Sequence, residues 1–340
     1  MVAAWRLAFL SSVGWSIILA ASAIGRGQAP DQPHSPGRTS VGESRTVPPP
    51  QTTPHRSGNA LPESPQEGPS LIEHLHHSGI TFPGGERFAL PEHAIRADTP
   101  AAERAELLAE LARPYSWQQF SRRSVVAPVR IRIQPLEDQA HQRLGYLATS
   151  AFIAYAAIPE LQETSLLEST LGESSGEAFQ IRPLTPEELE AVGSATSPED
   201  NRRWFHVRMN LLKRVVIRGV LEVESHIDAQ TAHVLWMMTS DFSDSSSAES
   251  EPPVDLRCTW SLLHRDATGQ TVEGDRHPYR GMGGCLFVTE TGLAQDQLLV
   301  ESFWVLHEPA AWFSGSNQLR SKLPLMLQEN AREFRRRIAR

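Results

Sequence analysis

Cysteine is scarce in this chain of 340 residues, and the 32 basic residues are outnumbered by 40 acidic ones. There are only two cysteines, Cys258 and Cys285, which excludes a small scaffold held together by several disulfides. The net charge of −8 means that no overall basic field exists to attract nucleic acid. We therefore predict no nucleic-acid partner and a domain that folds around a hydrophobic core.

Motifs that specify catalysis or a cofactor are also missing. The segment from His307 to Ala311 begins like a zincin motif, but alanine stands where the second histidine is required. Gly281 to Gly284 precede a predicted strand instead of a helix, which favours a turn or a bulge over a phosphate cradle. Cys285 with His277 or His307 would be a nucleophile and a base, but a buried strand cysteine is the more ordinary interpretation. No cofactor is predicted, and binding is favoured over catalysis.

The first 23 residues have the order of an export signal. Arg6 precedes an apolar run from Leu7 to Ala20, and the small residues Ala21-Ser22-Ala23 predict cleavage after Ala23. The alternative is an uncleaved anchor in the cytoplasmic membrane formed by residues 7–24. We expect the remainder of the chain in the periplasm or outside the cell.

The next part of the chain is rich in proline. Residues 30–70 hold 10 of the 25 prolines and no aromatic residue, so residues 24–70 are predicted to be a disordered tether. Residues 71–123 are predicted to be a lead-in with one short helix, which begins at Thr99-Pro100 and stops at Pro114. Residues 124–340 are predicted to form a single α+β domain.

Alternation of apolar and polar residues predicts the strands of this domain. The predicted strands are Val129–Ile133, one within Leu144–Ile158, Trp204–Met209, Val215–Glu224, His233–Ser240, Leu256–Leu263, Cys285–Glu290 and Leu298–His307. Helices are predicted from Pro159 to Leu171 and after Thr185, where Glu188 completes a capping box. Residues 241–254 are predicted to be a solvated acidic excursion.

A long helix closes the chain. Leu319, Leu323 and Phe334 recur at helical spacing, and Pro324 is predicted to kink the helix or to mark its first turn. The last turns carry five arginines: Arg332, Arg335, Arg336, Arg337 and Arg340. They are interpreted as partners of the helix dipole or, alternatively, as a contact for an acidic partner or anionic lipid.

The order of elements resembles the helix-grip fold of START-like and polyketide-cyclase-like proteins. The resemblance covers residues 124–340 and rests on the segment Leu298–Ile338, where the last strand runs through His307-Glu308-Pro309 into the final helix. It implies a curved antiparallel sheet of about six to eight strands that wraps the helix around an apolar cavity. A lipocalin-like barrel is the rival architecture.

Three groups of residues are candidate sites. Trp236, Trp260 and Trp304 fall on predicted strands and are candidate walls of a ligand cavity, although core packing explains them too. His74, His76 and His77 are the densest set of metal-ligand types, but two or three histidines do not complete a site. Cys258 and Cys285 lie on strands that we expect to be neighbours, so a disulfide and two free thiols both stay open.

The favoured function is that of an exported or membrane-tethered protein that binds an apolar small molecule inside its sheet. One alternative is an envelope interaction module that acts through its tether and its basic final helix. A hydrolase or metalloenzyme is the other alternative. The sequence identifies no protein partner.

Overall fold

The computed structural model describes residues 70–96, 98–163, 179–191, 202–239, 256–313 and 316–338. The predicted export signal, the tether and the acidic excursion lie outside these residues. Of the predicted helix Pro159–Leu171, residues 159–163 are described, and they belong to a helix that begins at Ile158.

Thirteen strands and seven helices are assigned within the described ranges. The strands are β1 Ile80–Thr81, β2 Arg87–Phe88, β3 Arg130–Glu137, β4 Arg143–Tyr155, β5 Phe179–Pro183, β6 Arg202–Leu211, β7 Val215–Ile227, β8 Thr231–Thr239, β9 Thr259–Arg265, β10 Thr271–Glu273, β11 His277–Pro278, β12 Met282–Glu290 and β13 Gln297–His307. The helices are α1 Leu71–Glu73, which continues as a π turn over His74–Ser78, α2 Ala101–Ala112, α3 Trp117–Phe120, α4 Ile158–Glu163, α5 Pro186–Ala191, α6 Ala310–Phe313 and α7 Gln318–Ile338. In the described ranges no helix is both long enough and apolar enough to cross a membrane.

Eleven of the strands form one antiparallel sheet, which confirms the predicted α+β class. Its main path runs β5-β6-β7-β8-β12-β13-β4-β3, and β9 continues along the edge of β7 where β8 ends. The sheet is larger than the six to eight strands predicted, because β5 was not predicted and β10 and β11 are too short to produce a visible alternation. In the described residues the outermost strands β3 and β5 do not pair with each other, so the sheet is open and not a closed barrel.

The two faces of the sheet carry separate apolar clusters. Along β13, Leu298, Val300 and Trp304 belong to the largest cluster, whereas Phe303 and Val305 belong to a second one. This separation follows from the alternation of side chains along a strand. We call the side with Trp304 the inner face and the side with Phe303 the outer face.

The outer face is covered by the residues that precede the sheet. Leu71, Leu75, Ile80 and Phe82 are each at most 2% exposed and pack with Phe303. Glutamate carboxylates of the sheet accept hydrogen bonds from backbone N–H groups at both ends of this covering segment. The Leu71 N–H donates to Glu224 Oε2 (2.8 Å), and the Ala94 N–H donates to both Glu301 oxygens (3.1 and 3.2 Å). Residues 71–95 are therefore an integral layer of the fold.

Helix α7 packs on the inner face, chiefly against β3 and β4. Arg335, predicted to be part of a surface basic run, is instead 5% exposed. Its guanidinium donates to backbone carbonyls of Ile153 (2.9 Å), Ala127 (2.7 Å) and Pro128 (3.0 Å). A buried charge requires such partners, so Arg335 fixes the end of α7 to the sheet. The helix is assigned without a break through Pro324.

The structure corrects one local prediction and confirms another. Helix α2 begins at Ala101 with Pro100 as its N-cap, because the Thr99 hydroxyl accepts the Arg96 N–H (3.0 Å) instead of capping the helix. The capping box that precedes α5 is confirmed. There the Thr185 hydroxyl accepts the Glu188 N–H (3.3 Å), and the Glu188 carboxylate accepts the Thr185 N–H (2.9 Å).

The cysteines do not lie on neighbouring strands as predicted. Cys285 is on β12, which pairs with β8 and β13, and Cys258 directly precedes β9. Cys258 belongs to the inner cluster and Cys285 to the outer one. Both are free thiols. A disulfide is therefore not present, since the sheet itself separates the two side chains.

Candidate functional site

A row of alternating large and small residues crosses the inner face. Neighbouring strands place side by side, in order, Ile133, Ala148, Trp304, Gly284, Trp236 and Val223. The two indoles meet edge to face above the glycine, with ring centroids 4.8 Å apart. Edge-to-face contact suits the charge distribution of aromatic rings.

Glycine at position 284 is required by this arrangement. A β-carbon there would lie 2.8 Å from an atom of the Trp236 ring. At Gly283 it would lie 2.7 Å from Ile80 of the outer cover. Both glycines are within β12, so the turn or bulge predicted for the run is wrong for them. Only Gly281, with φ +98°, needs the left-handed backbone that favours glycine.

Trp304 is partly exposed although it lies at the middle of the sheet. Its strand is flanked on both sides, by β12 and by β4, so solvent can reach the indole only from above the inner face. Its cross-strand neighbour Ala148 and the next inner-face residue of β4, Ser150, are both small. We call the part of the inner face formed by Trp236, Trp304 and these small residues the inner site.

Hydroxyl groups border the inner site in the next row. Ser150 and Ser302 are opposite each other and their hydroxyls are hydrogen-bonded at 2.8 Å. Both side chains are buried. The pair satisfies one hydrogen bond internally and retains lone pairs, since a hydroxyl accepts as well as donates.

Tyr146 borders the inner site in the preceding row, diagonal to Trp304. Its hydroxyl lies beside the Glu308 carboxylate, and the two side chains interact. The guanidinium of Arg143 lies 3.6 Å from Glu308 Oε2, too far for a hydrogen bond. Burial, opposed by Arg143, raises the pKa of Glu308, and burial followed by the Glu308 charge raises the pKa of Tyr146.

Trp260, the third predicted wall residue, belongs to a different aromatic group. Its ring meets Trp312 of α6 edge to face at 6.1 Å, and Tyr279 stacks on Trp312 at 5.4 Å. The Tyr279 hydroxyl donates to the His307 carbonyl (3.1 Å). The structure thus brings two of the three predicted tryptophans together. No periodicity pointed to Trp312 or Tyr146, because their roles depend on pairing between distant strands.

The three histidines near the start of the described chain have separate surroundings. His76 Nδ1 donates to the Leu90 carbonyl (3.0 Å), and His77 Nδ1 donates to the Glu73 carbonyl (3.2 Å). In the described part of the chain no three His, Cys, Asp or Glu side chains are grouped as metal ligands. The predicted metal site of His74, His76 and His77 thus gains no support from these residues.

The predicted thiol nucleophile is not supported either. Burial raises the pKa of Cys285 well above its usual value, so the thiol stays protonated. Its cross-strand neighbour on β13 is Phe303. His307 lies four residues farther along that strand, about 13 Å away. His277 stacks on Trp260 instead, with ring centroids 4.5 Å apart.

Comparison with known proteins finds a likeness in three-dimensional structure only. No family model and no curated protein matches the sequence. The lipid transfer and protein localization domain of human StarD13 (DLC2) is 9% identical, with 61% of this chain aligned to 86% of that chain at a TM-score of 0.33. Human StAR-related lipid transfer protein 5 is 11% identical, with coverage of 71% and 96% and a TM-score of 0.35. Human STARD10 is 10% identical, with coverage of 71% and 82% and a TM-score of 0.32.

The START-like resemblance predicted from the order of elements is thereby confirmed as a weak one. The TM-scores are 0.32 to 0.35 and the identities 9% to 11%. They carry no conclusion about a ligand or an activity. Any function has to be argued from this chain's own residues.

Proposed function

We propose that this chain is a binding protein without enzymatic activity that takes an apolar small molecule into the inner site. The partial exposure of Trp304 in the centre of the sheet is the observation that carries the proposal. An indole on an interior strand is normally covered by core packing. An accessible one offers a large apolar surface to a ligand.

The surroundings of Trp304 support an apolar ligand. The inner cluster consists of aliphatic and aromatic side chains from β4, β7, β8, β12 and β13 and from helix α7. The polar groups are few and confined to the rows on either side of the tryptophan row. Pockets for small molecules usually combine a mostly apolar lining with a few polar groups.

Binding of pyrene tests this proposal. Pyrene is an uncharged hydrocarbon that accepts excitation energy from nearby tryptophans, so its sensitised emission on addition to the protein reports proximity. We expect saturable binding, and we expect Trp304→Ala to weaken it by about tenfold, since burial of an indole against the ligand contributes on the order of 1 to 2 kcal/mol. Trp204→Ala is the matched control, because Trp204 packs in a separate cluster with Leu184, Val220 and Leu256. Equal pyrene binding by the wild type and by Trp304→Ala would contradict the proposal.

The location of the protein is a second part of the proposal. The order of charge, apolar run and small residues in positions 1–23 supports export, followed by cleavage or by anchoring through residues 7–24. A fusion of residues 1–70 to alkaline phosphatase, which is active only outside the cytoplasm, tests it. We expect active fusions, and a fusion with Leu10→Arg and Leu19→Arg as an inactive control. An inactive wild-type fusion would contradict export.

The alternative of an interaction module that acts through the basic last helix has less support. Arg335 donates its hydrogen bonds to backbone carbonyls. Arg336 and Arg337 form ion pairs with Glu333 at 2.7 and 3.2 Å. These cations already have partners within the protein. The tether part of that alternative concerns residues outside the described ranges.

A further inference from the structure

One stretch of the chain carries positive charge only. Between Glu110 and Glu137 there is no acidic residue, although the whole chain has 40 acidic and 32 basic residues. The stretch holds five arginines: Arg113, Arg122, Arg123, Arg130 and Arg132. All of them except Arg130 are exposed. A basic patch on an otherwise acidic protein attracts an anionic partner that the rest of the surface repels.

Large apolar side chains are exposed among these arginines. Tyr115 is 40% exposed and Val126 is 64% exposed. Trp117, on α3, is partly exposed. Tyrosine, tryptophan and arginine each combine an apolar body with a polar end, and such side chains favour the boundary between a membrane and water.

The fold brings the middle of this stretch to one corner of the sheet. The Tyr155 hydroxyl, at the end of β4, donates to the Ser121 carbonyl. The Arg123 guanidinium lies over the Tyr155 ring, 5.5 Å from its centroid. Trp117 packs in the same apolar cluster as Tyr155. The short helix α3 and the loop after it are therefore fixed to the end of β4.

Two less exposed arginines fasten the two ends of the stretch to the same corner. The Arg130 guanidinium donates to the Leu111 carbonyl (2.9 Å), which ties the start of β3 to the end of α2. Arg335 of α7 donates to the backbone carbonyls on either side of Val126, at 3.3 and 2.7 Å. The exposed Val126 side chain thus lies on an anchored backbone. We call the surface formed by residues 113–126 the basic corner.

We propose that the basic corner is a docking surface for a membrane that contains anionic lipid. Arg113, Arg122 and Arg123 contact the headgroups, while Tyr115 and Val126 enter the boundary between headgroups and acyl chains. Each arginine near an anionic leaflet strengthens binding by about fivefold. The inference does not depend on the inner site, because it uses a different surface and different residues.

The carboxylates near the basic corner do not cancel its charge. On α7, Glu329 and Glu333 already pair with arginines of the same helix. Glu110, at the end of α2, is exposed and opposes three exposed arginines. An acidic protein would match this charge but would leave the apolar surfaces of Tyr115 and Val126 without a complement. A lipid surface offers both negative charge and an apolar layer.

An environment-sensitive label at position 126 tests the inference. The variant Val126→Cys of the full-length protein is labelled with nitrobenzoxadiazole, whose emission shifts to the blue when it leaves water. The native Cys258 and Cys285 are buried, so the label reacts at position 126. We expect a blue shift with phosphatidylglycerol vesicles and none with phosphatidylcholine vesicles. High salt should abolish the shift, because it screens exposed charges. A membrane anchor in residues 7–24 would act on both kinds of vesicle alike.

Two controls separate this surface from the rest of the protein. Ala267→Cys is labelled in the same way, since Ala267 is exposed between β9 and β10, at the edge of the sheet opposite β3. Arg113→Gln combined with Arg122→Gln should raise the phosphatidylglycerol concentration for a half-maximal shift by about 25-fold, which is about fivefold per arginine. Arg87→Gln combined with Arg265→Gln removes two exposed arginines elsewhere and should change this concentration far less.

Several results would overturn the proposal. One is a label at position 126 that shifts equally with both kinds of vesicle or with neither. Equal shifts at positions 126 and 267 would also do so. A rise in label anisotropy with poly-glutamate, without a blue shift on phosphatidylglycerol, would assign the basic corner to an acidic protein instead. Pyrene binding at the inner site is measured separately, so either proposal can fail while the other stands.

Discussion

The Trp236 ring lies against the backbone of Gly284, and this contact determines how the inner site is built. A β-carbon at position 284 would lie 2.8 Å from Cζ2 and 3.0 Å from Cε2 of the indole. Real β-carbons essentially never approach so closely. Bare backbone on β12 is therefore what allows the Trp236 and Trp304 indoles to meet above it.

Gly284→Ala should destabilise the protein and displace Trp236. We expect the free energy of unfolding in urea to fall by about 1 to 3 kcal/mol, the usual cost of forcing a methyl group into a packed core. The near-ultraviolet circular dichroism of the tryptophans should change as well. Gly274→Ala is the control, since its nearest contact would be an ordinary 3.4 Å. Equal unfolding midpoints for the two variants would show that Trp236 does not need the glycine.

Arg335→Met should loosen helix α7 from the sheet. The guanidinium satisfies the carbonyls of Ile153, Ala127 and Pro128, and methionine would leave these buried acceptors unpaired. We expect a loss of about 3 kcal/mol in the free energy of unfolding. Arg336→Met is the matched control on the same helix. It removes only solvent-exposed ion pairs, so its effect should stay within about 0.5 kcal/mol. Similar losses in both variants would mean that Arg335 is not the anchor.

Glu301 should make stability fall as the pH rises. It lies under the outer cover, where burial raises its pKa to about 7, opposed by the hydrogen bond from the Ala94 N–H. The folded state therefore holds a proton that the unfolded state releases near pH 4.5, and this stabilisation is lost as the pH rises through 7. Relative to wild type, Glu301→Gln should gain up to about 3 kcal/mol between pH 5 and pH 8. Urea unfolding at four pH values measures this, and a constant difference would contradict the burial of the carboxyl group.

His233 should make the stability of the protein fall as the pH falls. Burial, together with the charges of His226 and His93, lowers its pKa to about 4. The unfolded state then binds the proton first, so this contribution to stability is lost as the pH falls from 6.5 to 4. We expect His233→Gln to gain about 1 to 2 kcal/mol over wild type between pH 7.5 and pH 5. His264→Gln, at an exposed strand position, should show no such gain. A His233→Gln profile parallel to that of wild type would exclude the effect.

Local patterns in the sequence predicted the elements of the fold well. The alternation in residues 215–224 and 298–307 is found as β7 and β13, and the closing helix is found as α7. The capping box at Thr185 is found as predicted. These features depend on residues close together in the chain, so they can be recognised in the sequence without knowledge of the fold.

The site itself could be predicted only in part. Trp236 and Trp304 were candidates because each lies on a predicted strand. The contact between their indoles, however, depends on the register of β8, β12 and β13. Tyr146 and Glu308 gave no signal, since they are 162 positions apart and meet through the pairing of β4 with β13. Arg335 was assigned to the surface because helical periodicity does not reveal that backbone carbonyls of β4 and of the residues before β3 surround its guanidinium. Composition and residue spacing do not reveal which distant strands pair with each other.

Anomalous diffraction from a crystal grown with 1-bromooctane tests ligand binding at the inner site most directly. The bromine marks one end of an eight-carbon apolar chain and gives an anomalous signal that water does not. The account predicts one strong peak on the inner face, with the alkyl chain in contact with the Trp304 and Trp236 indoles. Fully ordered, unliganded indoles with bromine only on the outer surface would contradict it.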